Sequence, residues 1–128
     1  MTHIENRDIS CLSTIWADER VVIMADYGCY CWVGKEGEGT DLDIEFPNAT
    51  DIEELHDAFL SWNRKMTFSP VGDDGRLHYF DWEAFHQEGI ILCKWLKSVL
   101  HENTEVFYVK PFEDQESSWP VISRIHAD

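Results

Sequence analysis

The stretch Gly37-Glu-Gly-Thr-Asp-Leu-Asp-Ile-Glu-Phe46, GEGTDLDIEF, decides how this 128-residue chain is read. Its second half alternates, with Leu42, Ile44 and Phe46 on one side and Asp41, Asp43 and Glu45 on the other. Successive side chains of a strand point to opposite faces, so the pattern predicts a half-buried strand over 40–46. Three carboxylates would then sit in a row on its wet face, roughly 6–7 Å apart. No lysine or arginine falls between Glu36 and Asp57 to balance them.

Upstream, RVVIMA (20–25) is continuous and β-branched, as a buried strand is. YGCYCWV (27–33) follows as a second strand, or as the other half of one bent strand with Gly28 at a bulge. Glycines at 34, 37 and 39 make a turn, and Pro47 ends the strand that returns. Residues 1–19 are mixed, and Ile9, Leu12, Ile15 and Trp16 suggest one turn-rich helix.

Downstream, NATDIEELHDAFLSWNRKM (48–66) reads as a helix. Ile52, Leu55, Phe59, Trp62 and Met66 form one stripe, and Glu53, Glu54 and Asp57 point away from it. Thr50 and Glu53 have capping-box spacing, and Arg64 and Lys65 suit the negative end of the helix dipole. SPVGDDGR (69–76) is a turn. Asp81 caps a second helix over 82–100, with Phe85, Gly89, Leu92, Leu96 and Val99 as its stripe; Gly89 there allows close backbone approach. TEVFYVK (104–110) is a last strand stopped by Pro111. The expected fold is α+β, a mostly antiparallel sheet with two amphipathic helices packed on one face. A single domain over 1–128 is expected, its ordered core at about 9–111. The polar segment 112–128 is expected to lie across the surface or fray.

Charge narrows the function. The chain carries 25 acidic and 10 basic residues, a formal net charge of −15. Nine of the acids lie in 36–57 with no Lys or Arg among them, leaving 16 against 10 elsewhere. Such a field repels nucleic acid and anionic lipid and attracts basic proteins or cations. No run of 18 apolar residues occurs, and MTHIENRD lacks the pattern of a signal peptide, so a cytoplasmic location is expected.

Catalytic signatures are weak. Cys29-x-Cys31 with His78 or His86 could ligate zinc, but structural sites space cysteines by two to four and add a second pair; core packing is the competing reading. His86 and Cys93 are nearly in line on the second helix, with no third ligand marked. VGKEGEG resembles a phosphate loop but lacks the Lys-Ser/Thr end and leads into a strand. Trp32, Trp95 and Trp119 could be interface anchors or ordinary core. The carboxylates lie on wet faces and lack the split environments that acid–base catalysis needs. No catalytic residue, metal or cofactor is expected. The candidate partner-binding residues are Glu36, Glu38, Asp41, Asp43, Glu45, Glu53, Glu54 and Asp57.

DYGCYCW, PNATDIEELHDAFLSWN and FDWEAFHQEGIILCKWLKSVL, closing on TEVFYVKP, together resemble the small immunity proteins of bacterial polymorphic-toxin systems, including contact-dependent growth inhibition. The resemblance covers residues 20–111 and rests on pattern and spacing. It implies a short cytoplasmic, non-enzymatic protein that binds a cognate toxin domain, often a basic nuclease, and covers its active site. An acidic mimic of nucleic acid that inhibits a DNA- or RNA-binding protein is the alternative; a small metal-dependent enzyme using Cys29, Cys31 and a histidine is a third.

Overall fold

The computed structural model describes Leu12 and residues 15–126. Its elements in chain order are β1 (Ala17–Ile23), β2 (Cys31–Gly34), β3 (Glu38–Thr40), α1 (Leu42–Glu45), α2 (Ile52–Thr67), α3 (Trp82–Val99), β4 (Glu105–Lys110) and β5 (Val121–Ile125). The five strands form one sheet in the order β3-β2-β1-β4-β5. Every neighbouring pair is antiparallel except β1 and β4, which run parallel. A parallel pair needs a long crossover, and here the chain from β2 through α3 supplies it, laying the helices over the sheet. The α+β architecture expected from the sequence is the one found.

The alternation in β1 and β4 sorts the two faces. Val21, Ile23, Val106 and Tyr108 join the helix stripes in the main core. Val22, Met24 and Val109 face the other way, onto Leu12 and Ile15, with Trp16, Trp32 and Ile122 packed around them. The helix expected around Ile9 to Trp16 lies largely outside the described residues.

Both long helices follow their stripes. Ile52, Leu55, Phe59, Trp62 and Met66 are buried, as are Phe85, Gly89, Leu92 and Leu96. Asp81 caps α3, its Oδ1 accepting from the Ala84 N–H at 3.1 Å. Gly89 is a true close approach: a Cβ there would come within 2.7 Å of Tyr108 Cε1 and 2.8 Å of Trp62 Cζ2. The Thr50–Glu53 capping box does not form. α2 begins one residue later, behind Asp51 in the left-handed region (φ 60°), whose side chain makes no cap bond.

Three further expectations are corrected. The strand predicted over 40–46 ends at Thr40, and Leu42–Glu45 winds into one helical turn. Asp41 O accepts from Glu45 N at 3.0 Å and Leu42 O from Phe46 N at 2.8 Å. Leu42 and Phe46, four apart, share a side in a strand and in a helix alike, so only Ile44 tells the two apart, and it is 70% exposed. Asp41, Asp43 and Glu45 therefore form no row. Residues 27–33 are not half of a bent strand. The chain reverses through Gly28 (φ 109°), Met24 N–H bonds Tyr30 O at 3.0 Å, and β2 returns as a hairpin. The bulge falls instead in β1, where the register slips between Ala17 and Val21 and Glu19 takes φ 59°.

Nor is 112–128 a surface fringe throughout. β5 pairs with β4 over five positions and buries Ile125, while Glu113 and Asp114 are fully enclosed. An edge strand reads as polar because only part of it meets the core. Among the described residues, no helix is long and apolar enough to cross a membrane.

Candidate partner-binding face

The turn α1 divides the acidic segment into two groups. On one flank, Glu38 and Glu45 meet Asp18 and Glu19 around a cleft of about 430 Å³ that also takes in Val33 and Phe46. The bulge in β1 is what places Asp18 and Glu19 here, since an extra residue re-aims the side chains around it. Lys35 Nζ lies 3.6 Å from Asp18 Oδ2, and the cation that lines the cleft, Arg20, is already committed. Its Nε donates to Glu105 Oε1 at 2.8 Å, its Nη1 to Ile15 O at 3.3 Å, and its guanidinium lies 5.4 Å from the Phe107 ring centre. Arg20 in turn holds the Glu105 carboxyl below the usual carboxylate range.

On the other flank, Asp41 and Asp43 face α2. Asp43 Oδ1 lies 3.9 Å from His56 Nδ1, and the Tyr30 hydroxyl lies 2.6 Å from the same nitrogen. Leu42 N–H donates to that hydroxyl at 3.3 Å, which ties the start of α1 to the buried ring. Burial pushes the Tyr30 phenol well above its ordinary pKa, opposed by the Leu42 N–H and reinforced by Asp41 and Asp43 among others. The phenol therefore stays protonated and available as a donor.

The remaining candidates are separate. Glu36 is exposed in the β2–β3 turn, and Glu53, Glu54 and Asp57 are exposed on the outer side of α2 without lining the cleft. The structure thus joins Glu38 with Glu45, and Asp41 with Asp43. It adds Asp18, Glu19, His56 and the exposed Ile44, none of which the sequence marked as a site. For Ile44 the signal would have been a helical reading of 42–46. For Asp18 and Glu19, which meet Glu38 only through a bulge, there was none.

The cysteine–histidine sets do not assemble. Cys31 is buried in the core, its thiol pushed far up by burial, and Cys29 sits against Gly39 in the neighbouring strand. His78 bonds Asp74 at 2.8 Å. His86 is held on both sides, Nδ1 by the Tyr108 hydroxyl at 2.6 Å and Nε2 by Asp114 Oδ2 at 2.7 Å. A second cleft of about 350 Å³ runs past His86, Lys110 and Asp114. With both ring nitrogens bonded, the imidazole offers no lone pair to a substrate there, and its role is to fasten the C-terminal segment to α3. Trp32, Trp95 and Trp119 are half-buried and pack against the two cores. Comparison with protein-family models, with curated proteins and with solved structures finds no match for this chain.

Proposed function

We propose that this protein is an inhibitor of the immunity type. It binds a basic partner domain in the cytoplasm, most simply a nuclease toxin, and neutralises it by occupying the cationic surface that would hold nucleic acid. On this reading it performs no catalysis and needs no cofactor. The observation that carries the proposal is the cleft beside α1. Carboxylates from β1, β3 and α1 converge there; Arg20 is already paired with Glu105 and Lys35 with Asp18, and no lysine or arginine pairs with Glu19, Glu38 or Glu45 among the described residues.

A nuclease cleft is positive because its substrate is a polyanion. Lysine or arginine side chains from such a cleft fit between Glu19, Glu38 and Glu45, while Ile44, exposed on the same short helical turn as Glu45, supplies an apolar contact. Steering by the −15 net charge would speed encounter, and close charge pairs at interfaces couple by roughly 1.5–7 kcal/mol.

The test is genetic and then quantitative. The end of the reading frame just upstream of this chain is expressed inducibly in a naive host, with and without the protein. Relief of growth arrest by the wild type, lost in a variant carrying Glu38→Gln and Glu45→Gln with unchanged thermal melting, is the expected result. Absence of rescue by the wild type would sink the proposal. Full rescue by the variant, with unchanged affinity and salt dependence, would remove the cleft from it. Competition by duplex DNA for several unrelated basic proteins would instead favour a nucleic-acid mimic.

A further inference from the structure

The acidic cleft does not end at α1. Glu45 and Phe46, which line it, also line a second cleft of about 350 Å³, whose other walls include Pro47, Ala49, Val99 and Leu100. Phe46 follows the last residue of α1 and packs against the main core, so the wall that the two clefts share is held in place. A cleft of this size lies at the small end of ligand sites. It suits one or two side chains of a larger partner.

Two features give this apolar cleft a sign. Glu45 is its acidic residue, and no lysine or arginine lines it. It also lies where α3 ends. The last helical bond there runs from Leu100 N–H to Leu96 O at 3.2 Å, and no backbone N–H of the described residues reaches the carbonyls of Lys97, Ser98 or Val99. Lys97, the basic residue of the last turn, sends its Nζ onward to Glu102 O at 3.1 Å and Thr104 O at 2.7 Å. The negative pole of an 18-residue helix thus stands beside the cleft and favours a cation there. An apolar wall next to two sources of negative potential repels an acidic or phosphorylated segment. It suits a basic one, whose lysine and arginine stems lie along apolar surface while their heads reach charge.

We propose, and the proposal rests on the inhibitor reading, that the two clefts form one docking groove for an extended segment of the basic partner. A lysine or arginine enters the acidic cleft, and the apolar side chain two residues along enters the second, with Phe46 between them. Residues i and i+2 of an extended chain share a face roughly 6–7 Å apart, which suits two clefts divided by a single side chain. A second copy of this chain is a poor occupant, because its net charge of −15 opposes self-association. The two halves act on different rates. Exposed carboxylates speed encounter, and the apolar cleft, desolvated on binding, sets how long the complex lasts.

The experiment measures association and dissociation rates between the full chain and the purified upstream-encoded segment. Asn48→Arg places a charge of the partner's own sign at an exposed position of the second cleft. It is expected to raise the dissociation rate about tenfold with unchanged thermal melting. His101→Arg, also exposed at that cleft, is expected to do the same and serves if the first variant folds poorly. Glu38→Gln with Glu45→Gln should chiefly slow association and flatten its salt dependence. Gln87→Arg makes the same charge change on α3 outside both clefts, and should dissociate like the wild type. If both cleft variants also dissociate like the wild type, the second cleft lies outside the interface and the groove is overturned, while the inhibitor reading stands. If the segment and this chain form no complex, both fall.

Discussion

His86 is held at both ring nitrogens. As a neutral ring it donates from Nε2 to Asp114 and accepts at Nδ1 from the Tyr108 hydroxyl, which burial keeps protonated. A second ring proton would turn Tyr108 into an acceptor and strand its own hydrogen in the core. The His86 pKa accordingly lies below the ordinary 6.5, chiefly through burial; Lys110 adds to the depression, while Asp114 and Glu116 oppose it. The sign of the linkage follows. Above 6.5 both folded and unfolded chains carry the neutral ring and stability is full. As pH falls below 6.5, the unfolded chain takes up the proton first, so stability drops until the folded ring titrates too. Between those two pKa values the loss approaches about 1.4 kcal/mol per pH unit. Urea unfolding from pH 7.5 to 5 should therefore show the wild type losing stability relative to His86→Gln, which cannot titrate. Parallel slopes for the two proteins would refute the depressed pKa.

At the scale of elements, α1 is where sequence and structure part, and the reason is length. Along α2 and α3 each stripe position repeats the same period, so no short coincidence can mimic it, and both helices were legible. Over 42–46 only three apolar residues are available, and two of them satisfy both periods. The turn winds because Leu42 can then drop beneath α2 and hand its N–H to Tyr30, a contact that sequence spacing does not disclose. Distance along the chain hid the C-terminal segment in the same way. Asp114 is buried because His86, 28 positions away, receives it, and β5 exists because β4 offers a free edge. Of the candidate site, the concentration of charge in 36–57 could be read directly, whereas its division around α1 could not. The helical turn makes a sharp prediction. Leu42, fully buried, should cost about 2–5 kcal/mol when changed to Ala. Ile44→Ala should stay within about 0.5 kcal/mol, as an exposed position does. A strand would have made the two losses similar, and chemical denaturation of both variants decides between them.

For the molecule as a whole, the governing quantity is charge that folding does not neutralise. Lys35, Lys65, Arg20 and Arg124 pair with Asp18, Glu88 and Glu105, all outside 36–57. Folding gathers the nine acids of that segment onto α1, α2 and the β2–β3 region, so the native state feels their repulsion more than the extended chain does. A partner of opposite charge would relieve what the fold leaves uncompensated, which is how a cost in stability and a capacity for binding share one cause. Salt separates them. Raising ionic strength from about 0.01 to about 1 M shortens the screening length from about 30 to about 3 Å. Two carboxylates about 7 Å apart repel by about 0.6 kcal/mol in water, so relieving several such pairs should stabilise the free protein by on the order of 1–2 kcal/mol. The urea midpoint should rise with sodium chloride, and by less in a variant carrying Glu53→Gln, Glu54→Gln and Asp57→Asn. Affinity for a basic partner should move the opposite way over the same range, because screening weakens attraction as well as repulsion. If the midpoint is flat or falls with salt in the wild type, the acids are compensated within the fold, and the segment loses its claim to be held ready for a cationic surface.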